Sequence, residues 1–113
     1  MAKERKKGLK DTRDATALIE MKTLRLTFLN LGPSITNLEY FENLKSLYLQ
    51  HNCLDRIGKD ALQFNINLQV LNVSHNNLKF VEGLTHLRYL AFLDASHNHI
   101  DSVRPDKDLP PNL

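Results

Sequence analysis

Three eleven-residue stretches of the chain carry apolar residues at their first, fourth, sixth and eleventh places and asparagine at the ninth. Leu44–Leu54 reads LKSLYLQHNCL, Leu68–Leu78 reads LQVLNVSHNNL and Leu90–Ile100 reads LAFLDASHNHI. A degenerate copy precedes them, with Met21, Leu24, Leu26 and Leu31 at the apolar places but Leu29 where the asparagine belongs. Places three to seven alternate with the period of a β-strand, even places toward a core and odd places toward solvent. The copies start at 21, 44, 68 and 90, giving units of 23, 24 and 22 residues. Self-similarity at such a period predicts a solenoid, in which each coil hides its leucines only because another coil lies against it.

The remainder of each unit must return the chain to the start of the next strand. In the third unit Val81, Leu84 and Leu87 recur every third place, the step of a 3₁₀ helix. Lys59–Phe64 (KDALQF) is the one return segment expected to form a fuller helical turn, and Gly32-Pro33 marks the first turn. Ahead of the array, Asp14–Glu20 (DATALIE) favours a helix that Asp11 or Asp14 can cap. Leu18 and Ile19 on that helix are expected to cover the open face of the first coil. The predicted fold is an α/β solenoid: a horseshoe segment with a parallel concave β-sheet and a convex side of 3₁₀ turns and short helices. Its organisation is a basic arm and capping helix over residues 1–20, then four repeats over residues 21–113. The next repeat falls due at Leu113, so the chain is expected to be a piece of a longer protein.

Composition narrows the class. The chain has 113 residues, few enough for one domain, and its 42% hydrophobic content suits a folded protein. The N-terminus (MAKERKKGLKD) lacks the apolar run of a secretory signal, and no stretch approaches the length of a membrane span. Cys53 is the sole cysteine, which excludes an internal disulfide framework and points to a reducing compartment, cytoplasm or nucleus. The formal charge of +2 is uneven. Lys3, Arg5, Lys6, Lys7 and Lys10 against Glu4 give the arm a local +4, leaving about −2 on the body. That arm reads either as a solvated tail or as a segment attracted to a polyanion, such as an acidic tubulin tail, nucleic acid or an import receptor.

Stacking turns each solvent-facing place into a column. Place three holds Thr23, Ser46, Val70 and Phe92, and place five holds Arg25, Tyr48, Asn72 and Asp94. Place seven holds Thr27, Gln50, Ser74 and Ser96, and place eight, at the rim, holds Phe28, His51, His75 and His97. Arg25, Tyr48, Gln50, Asn72, Phe92 and Asp94 form the predicted partner-binding surface, since exposed Tyr, Phe and Arg are the types that dominate such sites. Asn52, Asn76 and Asn98 are expected to form a structural ladder that bonds the backbone of the turns. At the first coil, Leu29 leaves those groups to water or to the cap. Histidines on parallel strands do not converge on a point, so no metal site is predicted. Cys53 lacks an orienting partner for nucleophilic chemistry, and the glycines form no phosphate loop, so neither enzyme nor cofactor is expected.

The 22-residue unit resembles the intracellular leucine-rich-repeat class typified by the phosphatase-1 regulatory subunit, the spliceosomal U2 A-prime protein and outer-arm dynein light chain 1. Asn37-Leu38-Glu39, Asn43-Leu44, Ser46–Gln50 and Asn52 look like the short ciliary members of that class. So does Leu109-Pro110-Pro111-Asn112-Leu113. The resemblance implies a protein–protein interaction scaffold in a microtubule-based or axonemal assembly, with tubulin or axonemal proteins as partners. A phosphatase-regulating subunit is an alternative, and a ribonucleoprotein assembly factor, resting on the basic arm, is another.

Overall fold

The computed structural model describes residues 12–113. The arm residues Lys3, Arg5, Lys6, Lys7 and Lys10, and the candidate cap Asp11, lie outside the described residues. Helix α1 (Thr12–Glu20) is followed by strands β1 (Thr23–Arg25), β2 (Ser46–Tyr48), β3 (Val70–Asn72) and β4 (Phe92–Asp94). A 3₁₀ helix, Leu38–Tyr40, lies in the first return segment, and helix α2 (Pro105–Asp108) follows β4. The strands form one parallel sheet in chain order. Leu24 pairs with Leu47, Leu47 with Leu71 and Leu71 with Leu93. That register places like positions of every copy side by side, which confirms the columns as spatial objects.

The core is the leucine array. Leu44, Leu47, Leu49, Leu54, Leu62, Leu68, Leu71, Leu87 and Leu90 are fully buried, and Met21, Leu26, Leu31 and Ile100 pack partly buried at its margins. Burying one such side chain contributes roughly 1.5–3 kcal/mol, and none could do so without an adjacent coil. Helix α1 begins two residues earlier than expected, so Asp14 sits within it rather than capping it. It covers the first coil in part: Leu18 is half-buried and Ile19 remains 37% exposed. Asn43 fastens the helix end by donating its side-chain amide to the Ile19 carbonyl at 2.9 Å. Asn112 repeats the device on the Arg88 carbonyl at 3.0 Å.

One return segment departs from expectation, and Val81–Leu87 keeps the three-residue step expected of it. Lys59–Phe64 forms no helix but a succession of turns, closed by bonds such as Gln63 N–H to Asp60 O at 3.2 Å and Asn65 N–H to Leu62 O at 3.2 Å. Val81–Leu87 is likewise turned, with Leu87 N–H on Leu84 O at 3.0 Å. Neighbouring α-helices need about 8–10 Å between axes, whereas neighbouring strands lie about 4.8 Å apart. Flattening the returns into three-residue turns lets successive coils approach more nearly to the strand spacing.

Candidate partner-binding site

The asparagine ladder positions everything above it. After place seven the backbone swings into the left-handed region at place eight in every coil, with φ of 58° at Phe28, 59° at His51, 57° at His75 and 55° at His97. That swing breaks the strand ladder and leaves carbonyls and N–H groups pointing into the turn. Asn52, wholly buried, donates its amide to the carbonyls of Leu26, Leu49 and Gln50, and its side-chain oxygen accepts the Leu29 N–H at 2.9 Å. Asn76 serves the Leu49, Val73 and Ser74 carbonyls at 3.0, 3.0 and 3.1 Å. Asn98 serves those of Val73, Ala95 and Ser96 at 3.0, 3.0 and 3.1 Å, and accepts the Leu78 N–H at 2.9 Å. Each asparagine therefore supports its own coil and the one before it. Leu29 costs little at place nine for that reason: its N–H is taken by Asn52 and its side chain is 54% exposed. The expectation that the first coil relies on water or the cap is corrected accordingly.

Place eight is a continuous stack of rings. Phe28 lies on His51 at 4.2 Å between centroids, His51 on His75 at 4.4 Å and His75 on His97 at 4.1 Å, with interplanar angles of 9°, 15° and 11°. Parallel faces keep the ring nitrogens from aiming at one point. Among the described residues no three His, Cys, Asp or Glu side chains are grouped to hold a metal ion. Histidine tolerates left-handed backbone better than most residues, which gives this column a backbone reason. Desolvation of the stacked ring, then the neighbouring imidazoles of His97 and His51, hold the His75 pKa below its ordinary value, with Asp94 opposing them.

On the sheet face the predicted residues come together in two groups. The Arg25 guanidinium carbon stands 4.1 Å from the centre of the Tyr48 ring, so a cation lies against an aromatic face across β1 and β2. Across β3 and β4, Asn72 and Asp94 share a local role. The Asn72 side-chain oxygen accepts the Ser74 N–H at 3.0 Å, and that of Asp94 accepts the Ser96 N–H at 3.0 Å and hydroxyl at 2.6 Å. The Ser96 hydroxyl and N–H lower the Asp94 pKa, so this carboxylate is a stable negative charge. Phe92 is 51% exposed beside the half-buried Val70.

Place seven is uneven, with Ser96 exposed as the alternation predicts but the inner coils more closed. Ser74 is buried, and Gln50 is half-buried with its side-chain oxygen sealed from solvent. The strands end before this place and the turn folds over it, so Gln50 belongs to the edge of the surface. Two basic residues that the alternation passed over, Lys22 and Lys45, are exposed at place two. Their signal was present in the sequence, since place two reads Lys, Lys, Gln, Ala down the column at 22, 45, 69 and 91.

A stack of strand-and-turn coils, held by an asparagine in each of the last three and presenting a side-chain-lined sheet, defines a repeat solenoid built for macromolecular contact. Residues 42–100, just over half of the chain, match the leucine rich repeat family model, and the chain belongs to that family. It is 38% identical over 65 residues to fibromodulin of Sus scrofa and, equally, to fibromodulin of Oryctolagus cuniculus. The match covers 57% of this chain and spans 44% of the length of each fibromodulin.

Proposed function

We propose that the chain is a non-catalytic protein–protein interaction scaffold that engages its partner through the concave sheet. The observation that carries this reading is the paired placement of Arg25 over Tyr48, with Phe92 half exposed on the same sheet. An aromatic side chain left open on a surface fixed by four hydrogen-bonded strands loses little entropy on docking, and Tyr, Phe and Arg dominate interface energetics. Alanine substitutions at Tyr48, Phe92 and Asp94 are expected to weaken capture of a cross-linked native partner. Unchanged capture by all three variants removes the concave face from the proposal.

The finer setting is a microtubule-based or axonemal assembly in the cytoplasm, with tubulin or axonemal proteins as partners. Its support is the likeness of Asn37–Asn52 and Leu109–Leu113 to short ciliary members of the family such as leucine-rich repeat-containing protein 46. Immunolocalisation in ciliated cells tests it: signal along the axoneme is expected, and purely diffuse or nuclear signal overturns it.

A further inference from the structure

The exposed chemistry of the sheet is not uniform from coil to coil. At the first two strands it is basic and hydroxylic: Arg25 is exposed at place five against Tyr48, and place three holds Thr23 and Ser46. At the last two strands it is apolar and acidic: Val70 and Phe92 occupy place three, and Asp94 carries the place-five charge. Glu42 belongs to a different surface, since it lines a cleft on the return side with Phe64 and Ile66. Arg88 holds the corresponding position two residues ahead of its coil's first leucine.

Resting on the concave-face reading above, we propose that the sheet selects an amphipathic helix with an ordered charge pattern. Its acidic end lies over Arg25, an apolar anchor on Val70 and Phe92, and its basic end at Asp94. Three strand spacings of about 4.8 Å separate β1 from β4, about 14 Å in all. An α-helix rises about 1.5 Å per residue, so that span takes about ten residues, or three turns of one face. The recognised pattern is thus an acid, an apolar residue about two turns on, and a base about one turn beyond it. A helix fits better than an extended peptide because it satisfies its own backbone groups.

The test is selection from a displayed library of amphipathic helical peptides about five turns long, against the chain and against an Arg25→Glu, Asp94→Lys double variant. The expected result is enrichment of acid-first peptides on the natural chain and of base-first peptides on the double variant, each discriminated by about tenfold. Asp94→Asn keeps the turn, because Asn72 makes the same bond in the third coil, and guards against misfolding of the double variant. It is expected to weaken enriched peptides about threefold, the scale of a solvent-exposed ion pair.

Enrichment that ignores charge order, or charges spaced for an extended strand, overturns the helix proposal while leaving the concave face standing. Peptides that bind Tyr48→Ala, Phe92→Ala as well as the natural chain, or no enrichment at all, overturn the concave-face reading itself. Concentration-dependent self-association lost in Arg25→Glu replaces the helix with a second copy of the chain.

Discussion

The side-chain oxygen of Asn76 accepts the backbone N–H of Asn52, one coil earlier, at 3.0 Å, and takes that of Leu54 at the same distance. Its amide group is spent on three carbonyls, and the residue is 5% exposed. Alanine at this position strands several backbone groups away from water, at roughly 1–3 kcal/mol for each left unpaired. Asn76→Ala is expected to destabilise by about 3 kcal/mol or more. Asn98 makes a similar set of bonds but is only half-buried, so water replaces part of the loss, and Asn98→Ala should cost about 1–2 kcal/mol. Urea midpoints that rank the two variants the other way would contradict the ladder.

Leu29 and Leu54 make a second comparison. Leu54 is fully buried at the eleventh place of the second coil, while Leu29 is 54% exposed. Leu54→Ala should cost about 2–5 kcal/mol through lost burial and the cavity left behind. Leu29→Ala is expected to stay within about 0.5 kcal/mol of the natural chain. Thermal unfolding of the two variants side by side decides it.

Two glycines in the return segments separate strain from collision. Gly58 (φ +87°) has open space where a Cβ would sit, with the Ala61 Cβ at 3.9 Å. Gly83 (φ +74°) would drive its Cβ to 2.7 Å from the Gly58 carbonyl oxygen and 2.9 Å from the Lys59 Cα. Gly58→Ala meets only the left-handed backbone penalty, about 1–2 kcal/mol. Gly83→Ala meets that and an overpacked backbone contact, and should lose roughly 2–5 kcal/mol. Equal losses in denaturant titrations would mean that the coils part easily at this point.

The ring stack predicts a pH dependence with a definite sign. His75 is held neutral in the folded chain below its ordinary value of 6.5, so between that value and its lowered one the unfolded chain binds more protons. Stability contributed by the neutral ring is complete above about 6.5 and declines as pH falls toward the lowered pKa. His75→Asn, which suits left-handed backbone, should flatten that decline. Urea midpoints at pH 7 and pH 5 for both proteins are the check, and an equal fall in both would place the acid sensitivity elsewhere.

The strands, their register, the core leucines and the asparagine ladder follow from the spacing of apolar residues, because each depends only on what recurs. The concave columns follow for the same reason at places three and five. Place seven does not, since Ser74 is closed in between neighbouring coils while Ser96, in the last coil described, stays exposed. Nor does periodicity reveal that the place-eight rings lie face to face, which depends on φ rather than on hydropathy. The failure at Lys59–Phe64 has a different cause. Local helix preference lost to the spacing of adjacent coils, a constraint that no single segment expresses. Asn65 carries no signal in the eleven-residue pattern, because it lies in a return segment. It sits where Phe41 and Leu87 stand in the neighbouring coils, fully buried, and donates to the Leu38 and Phe41 carbonyls at 2.9 and 3.2 Å.

Because every asparagine reaches back by one coil and no further, the junction between any two neighbours is built on the same short reach. A unit duplicated or excised at such a joint would rejoin ends that share the backbone carbonyl contact of the place-six residue. The unequal unit lengths of 23, 24 and 22 residues arise wholly in the outer loops, outside the eleven residues that carry the joint.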